Sequence, residues 1–101
     1  MTMELNETTF AEQVTNSKGV VVVDFFTTWC PPCRALAPIL EELEHATVLK
    51  VDGDKCQGLV VDNNVSAYPT LVFYKDGKEY ARQVGLTPPQ KLQSIIDRAD
   101  G

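Results

Sequence analysis

Residues Val20 to Phe26 constrain this chain more than any other stretch. They read Val-Val-Val-Val-Asp-Phe-Phe, β-branched and aromatic throughout except for Asp24. Such residues favour extended backbone. An apolar run without polar alternation belongs to a strand covered on both faces. This one must lie inside a sheet with other layers above and below it.

The covering layers can be read on either side. Leu36, Ile39, Leu40 and Leu43 fall at i, i+3, i+4 and i+7, one helical stripe. Pro38 lies inside that helix and is expected to kink it, because it removes a backbone bond. Upstream, Thr9 and Glu12 read as a capping box ahead of a short face of Phe10, Ala11 and Val14. Ser17-Lys18-Gly19 closes that helix, with Gly19 at C′. Thr47 to Asp52 reads as a second strand, and Cys56 to Asp62 as a short helix ended by Asn63-Asn64. Thr70 to Lys75 is a third strand. Asp76-Gly77 is a two-residue hairpin signal that returns the chain over Lys78 to Val84. Thr87-Pro88-Pro89-Gln90 opens a last helix, with Thr87 as cap, proline at N1 and Gln90 at N3. Its buried stripe is Leu92, Ile95, Ile96 and Ala99. A minor strand is expected near Met3 to Leu5. Strands joined through helices require crossovers, and the hairpin adds an antiparallel pair. The fold class is therefore α/β: a mixed central sheet of four to five strands, flanked on both faces by about four helices.

Composition fits this reading. At 101 residues the chain is expected to be one domain, 1–101. Hydrophobic residues make up 44%, enough for a core without covalent staples. No apolar stretch approaches the ~20 residues of a membrane span. Met1 to Glu7 lacks the basic start and apolar core of a signal peptide, so a cytoplasmic location is expected. A net charge of −5 argues against non-specific binding to nucleic acid or to an anionic membrane. Three cysteines fit a reducing compartment or a redox task better than a disulfide scaffold.

The chemistry concentrates in Trp29-Cys30-Pro31-Pro32-Cys33, between the apolar strand and the kinked helix. Cys30 is expected at the helix N-cap and Cys33 at N3. An N-cap side chain accepts from the N3 backbone N–H, and the helix dipole adds positive potential there. Both favour the thiolate of Cys30, the species that attacks disulfides. Pro31 and Pro32 fall where backbone N–H groups have no helical partner, so they start the helix at little cost and stiffen the loop. A structural disulfide or half of a metal site remains open for the same pair. A zinc site would recruit His45 and Cys56. Cys33 and His45 lie 12 positions apart, about 18 Å along one helix, too far for one ion unless the helix breaks at Pro38. His45 reads more simply as a residue at the helix C-terminus, where a cationic side chain is tolerated, and Cys56 as a bystander or, alternatively, a regulatory oxidation or glutathionylation site.

These residues resemble the thioredoxin family. The resemblance rests on Val22-Val23-Asp24-Phe25, Trp29-Cys30-Pro31-Pro32-Cys33 with Arg34, and Ala37-Pro38-Ile39-Leu40. Lys50-Val51-Asp52, Tyr68-Pro69-Thr70, Asp76-Gly77 and Val84-Gly85 continue it over nearly the whole chain. It implies that Cys30 attacks a target disulfide and Cys33 resolves the mixed disulfide. It implies Asp24 as a buried acid–base group, its pKa raised by desolvation, and Lys50 as the neighbouring charge that offsets this. It implies a cis peptide before Pro69 and a docking surface of Trp29, Pro31, Pro32, Ala67, Tyr68, Pro69 and Gly85. It also implies disulfide-containing target proteins, a thioredoxin reductase as electron donor, and a monomer. No bound cofactor is expected, since the dithiol itself stores the electrons, and no metal. The chain departs from the family at Pro31, where glycine is usual, at Phe26, where many members carry a second Trp, and in having Cys56. Two rival readings are an oxidant or isomerase of a secretory compartment, and a binding module whose redox chemistry is incidental.

Overall fold

The computed structural model describes residues 2–99. Met1, Asp100 and Gly101 of the expected domain lie outside the described residues. Five strands form one sheet: β1 (Met3–Leu5), β2 (Val20–Phe26), β3 (Thr47–Asp52), β4 (Thr70–Lys75) and β5 (Lys78–Val84). Their order is β1-β3-β2-β4-β5. β1 and β2 flank β3 in parallel, β4 runs antiparallel to β2, and β5 antiparallel to β4. The apolar strand is thus the central one, as its composition demands.

Alternation along β2 divides its side chains between two cores. Val21, Val23 and Phe25 pack with Val14 of a π-helical turn (Ala11–Thr15), Leu49, Val51, Val72, and Leu59 of α2 (Gln57–Asp62). Val20 and Val22 face the other way, onto Leu36 and Leu40 of α1 (Pro31–Glu41) and onto Leu92, Ile95 and Ile96 of α3 (Pro89–Arg98). A pleated strand cannot do otherwise, because successive side chains point to opposite faces. Asp24 continues the Val20–Val22 face, directed toward α1.

Several boundaries differ from the sequence reading. The capping box does not form at Thr9 and Glu12. Asn6 takes that role instead: its Oδ1 accepts from the backbone N–H groups of Thr8 and Thr9 at 2.9 and 3.0 Å, while Thr9 Oγ1 accepts from the Asn6 N–H at 2.9 Å. The reciprocal pair is the expected one, shifted three residues upstream. Downstream the turn widens, with Asn16 N–H donating to the Ala11 carbonyl five residues back. It ends at Asn16 rather than at Gly19. α1 stops at Glu41, short of Leu43 and His45. Leu43 still packs against the core from the following loop, and His45 adopts a left-handed conformation there (φ 65°). The last helix begins one residue late. Pro88 is its N-cap, and the Thr87 hydroxyl donates to the Gly85 carbonyl at 3.0 Å instead of capping.

The hairpin forms as read. Asp76 and Gly77 both have positive φ, 50° and 83°, the requirement of a type I′ turn. Its tip docks on the start of β2, where Gly19 N–H donates to Asp76 Oδ1 at 2.7 Å. A β-bulge between Phe73 and Tyr74 leaves Tyr80 as the extra residue of β5, and its hydroxyl donates to the Ile95 carbonyl of α3 at 3.0 Å.

Candidate active site

The C-terminal end of β2 delivers Trp29 and Cys30 to the N-terminus of α1. Cys30 is the N-cap in extended backbone, Pro31 and Pro32 are the first two helical residues, and Cys33 is the third. Pro38 lies inside the helix, which runs on for three residues past it. The Cys33 N–H donates to Cys30 Sγ at 3.3 Å, the sulfur version of an N-cap bond. Cys30 and Cys33 form a disulfide, with Cα atoms 5.2 Å apart.

The two sulfurs belong to different surroundings. Cys30 Sγ lies 3.6 Å from the Tyr68 carbonyl oxygen. The Tyr68–Pro69 peptide is cis. Pro69 is buried, and its carbonyl accepts from the Gly85 N–H at 2.9 Å. Gly85 has φ 88°, a conformation that glycine adopts without strain. Cys30, Tyr68, Pro69 and Gly85 are thus brought together from three separate loops. Around them Trp29, Pro31, Pro32 and Ala67 are exposed. Trp29 is 64% exposed, yet it is held at both ends. Its indole N–H donates to Asp54 Oδ2 at 2.9 Å, and its ring stands edge-on to Tyr68 at 6.4 Å. Tyr68 in turn lies over Gly53, where any β-carbon would overlap its ring.

Cys33 faces inward. It lines a cavity shared with Asp24 and Lys50. Asp24 is only 4% exposed. Burial pushes its carboxyl up to about 7, and the Lys50 charge on the adjacent strand pulls the other way. Lys50 is directly across from Asp24 in the β2–β3 register, and its Nζ lies 5.2 Å from the centre of the Phe26 ring. The half-buried lysine therefore keeps its ammonium near an aromatic face.

Of the residues expected at the site, Tyr68, Pro69 and Gly85 meet around Cys30, Trp29, Pro31, Pro32 and Ala67 are their chain neighbours, and Asp24 and Lys50 line the cavity with Cys33. Three features of this end of the molecule lie outside the sequence reading. Asp54, which fixes the indole, lies in a loop whose course depends on Asp52 and Gly53. Thr27 is fully buried beside Asp24 although it looks like a surface residue. Val84 and Leu86, on either side of Gly85, are 55% and 53% exposed and extend the apolar surface. The apolar–glycine–apolar triplet at the end of a strand is the only signal that could have found them.

Other candidates fall away. Cys56 caps the start of α2, 5% exposed, with its thiol directed at the Leu5 carbonyl. Burial, then Glu7, Asp52 and Glu4, push its pKa up and suppress the reactive thiolate. His45 is exposed beside Glu44, past the end of α1, so the single helix reading that placed it on the axis of Cys33 does not hold. No cluster of three or more potential metal ligands occurs among the described residues. No helix among them is long and apolar enough to cross a membrane.

A thioredoxin family model matches residues 1–98. Thioredoxin from Chlamydia trachomatis serovar D is 40% identical over 102 aligned positions, covering 97% of this chain and 98% of that protein. Thioredoxin H-type 1 from Nicotiana tabacum is 44% identical, covering 82% of this chain and 69% of that protein. The solved structure of a mutant thioredoxin from Halobacterium salinarum superposes with a TM-score of 0.88 at 34% identity, covering 95% of this chain and 88% of that one. Sequence and fold agree over nearly the full length, so the chain belongs to the thioredoxin family and is a thiol–disulfide oxidoreductase with Cys30 and Cys33 as its redox pair.

Proposed function

We propose that the chain works in the reducing direction, with the two cysteines in unequal roles. The observation that carries this is their separation: Cys30 beside the exposed surface at Tyr68, Cys33 in the cavity with Asp24. In the dithiol form, the Cys30 thiolate attacks one sulfur of a target disulfide. A Cys30–target bond forms, the target S–S bond breaks, and the other target sulfur leaves as a thiolate that takes up a proton. Cys33 then gives its proton to the Asp24 carboxylate, and its thiolate attacks Cys30 Sγ. The Cys30–Cys33 bond forms, the second target thiolate leaves, and two electrons have passed to the target.

The surroundings suit each step. The N-cap position and dipole stabilise the Cys30 thiolate. A carboxyl that titrates at about 7 exists in both forms at neutral pH, so it can accept a proton and return it. Trp29, Pro31, Pro32, Ala67, Tyr68 and Gly85 form the docking surface, where the backbone before Pro69 pairs with a target strand. The dithiol is the electron store, so no bound cofactor takes part. A thioredoxin reductase recharges the pair, and the protein acts as a monomer in the cytoplasm.

The decisive measurement is the equilibrium reduction potential of the Cys30–Cys33 pair against dithiothreitol. A value near about −270 mV is expected. A value of about −180 to −120 mV, in the range of isomerases and oxidants, would reverse the direction of the reaction. The division of roles is tested by Cys33→Ser, which should accumulate a mixed disulfide on Cys30 detectable by mass, whereas Cys30→Ser should form none.

A further inference from the structure

Phe26 has no part in the exchange steps above, yet it stands two residues along β2 from Asp24, on the same face, and lines the same cavity. Its ring carries the Lys50 ammonium. Nζ lies 5.2 Å from the ring centre, within the ~6 Å over which the face of a ring attracts a cation. Lys50 starts directly across from Asp24 on β3, and its flexible four-carbon stem is able to turn the ammonium onto that carboxyl instead. The cavity, about 350 Å³, gives the stem room for that movement. Yet no ion pair joins Lys50 to Asp24 among the described residues.

The other charged groups nearby are engaged elsewhere. Glu4, across from Lys50 on β1, pairs with Lys55 at 3.7 Å. Asp52, across from Phe26 on β3, is buried, and its Oδ1 accepts from the Asp54 N–H at 2.9 Å. From α1, Glu41 accepts from the Thr2 hydroxyl at 3.2 Å, Arg34 adds a second cation to the lining, and Cys33 is held in the disulfide. β4 brings the uncharged Leu71 alongside Asp24. Of these charges, Lys50 is the one that pulls on the Asp24 carboxyl. Its ammonium has two resting places within reach, the Phe26 ring and the Asp24 carboxylate. The balance between them decides how strongly the ionised carboxylate is favoured.

We propose that Phe26 is a positioning residue for thiol–disulfide exchange: its ring holds the Lys50 ammonium off the Asp24 carboxyl and so keeps that carboxyl from being locked into an ion pair. The role rests on Asp24 as the acceptor of the Cys33 proton, as proposed above. A carboxylate paired with an ammonium is held in its negative form and is a weaker base toward the Cys33 thiol. A ring attracts the cation without competing for the proton. Without the ring, the ammonium moves onto the carboxylate, the ionised form is favoured, and the Asp24 carboxyl titrates below its present value of about 7.

The test follows the Asp24 carboxyl by carbon NMR in the disulfide form of the full chain, where neither Cys30 nor Cys33 titrates. Phe26→Leu is expected to lower its titration midpoint by about half a pH unit, the strength of a part-exposed contact between cation and ring. Phe26→Met serves if the leucine variant does not fold. Phe26→Trp keeps a ring with a stronger pull on cations and is expected to hold the midpoint at or above that of the natural chain. Lys50→Met is expected to raise the midpoint, and in that background Phe26→Leu is expected to leave it unchanged, since no ammonium remains to move. The proposal is overturned by an unchanged midpoint in Phe26→Leu, by an equal fall in Phe26→Trp, or by a fall that persists without Lys50, which would mean water filling the space of the ring. In the dithiol form, the pH profile for resolution of the mixed disulfide is expected to move in the same direction as the carboxyl. A carboxyl that moves while this profile stays would overturn Asp24 as the proton acceptor, and with it the role of Phe26 in exchange, while the hold of the ring on Lys50 stands.

Discussion

Asp24 shows how much one residue can set against stability for the sake of chemistry. Its carboxyl is buried beside Cys33 and Leu40, with Leu71 paired to it on β4, and burial lifts it from 3.8 to about 7. In the unfolded chain it ionises near its ordinary value; in the fold it stays protonated until about pH 7. The unfolded state therefore holds fewer protons between these values, and stability falls as pH rises through that window. The rise amounts to about 4 kcal/mol of stability missing above pH 8 and fully present at low pH. Asp24→Asn, which has no charge to bury, is expected to be more stable than the natural chain at pH 8 by up to about that amount, and to show no such gain at pH 4. Urea unfolding across pH 4 to 8 measures this. A gain independent of pH would mean that Asp24 does not titrate in this window.

Among elements, the β4–β5 hairpin ties one edge of the sheet to the first helical turn. Gly77 carries φ 83° and comes so close to the Thr15 carbonyl that a β-carbon there would overlap it. Two penalties combine on substitution, left-handed backbone for a side chain and a clash with main chain that has no rotamer to change. Gly77→Ala is expected to lower stability by about 2 kcal/mol or more, of the order of one strained backbone position plus a displaced contact. Denaturant midpoints of the two proteins at equal slope test it, and an unchanged midpoint would mean that the hairpin tip is free to move away. Gly19, by contrast, has open space around its α-carbon and owes its glycine to φ 78° alone.

The whole molecule is two cores on one sheet. Leu49 lies in the core beneath the π-helical turn and α2, and Leu36 in the core beneath α1 and α3. Both are essentially buried, at 2% and 0%. Leu36→Val and Leu49→Val each remove one methylene and are expected to cost about 1 kcal/mol. The double variant should cost their sum within ~0.5 kcal/mol, because the residues share no packing neighbours across the sheet. A markedly larger or smaller loss would reveal coupling through β2, the strand that both cores share.

What the sequence determined by itself is whatever depends on near neighbours along the chain. The apolar run over Val20–Phe26, the helical stripe at Leu36–Leu40, the Asp76-Gly77 turn and the N-cap position of Cys30 all follow from local periodicity or local backbone chemistry, and each stands in the structure where it was read. The tertiary structure decided matters in which several residues compete for one role or in which distant loops meet. Asn6 displaced Thr9 as a cap because both are competent and only the path from β1 chooses between them. α1 ended before Leu43 because that side chain can reach the core from a loop. Thr27 went under α1 and Asp54 onto the indole of Trp29 for the same reason, that no periodicity marks a residue whose partner lies on another segment. The cavity behind Cys33 is the plainest case, since its walls come from two strands and a helix, and packing alone sets the space left between them.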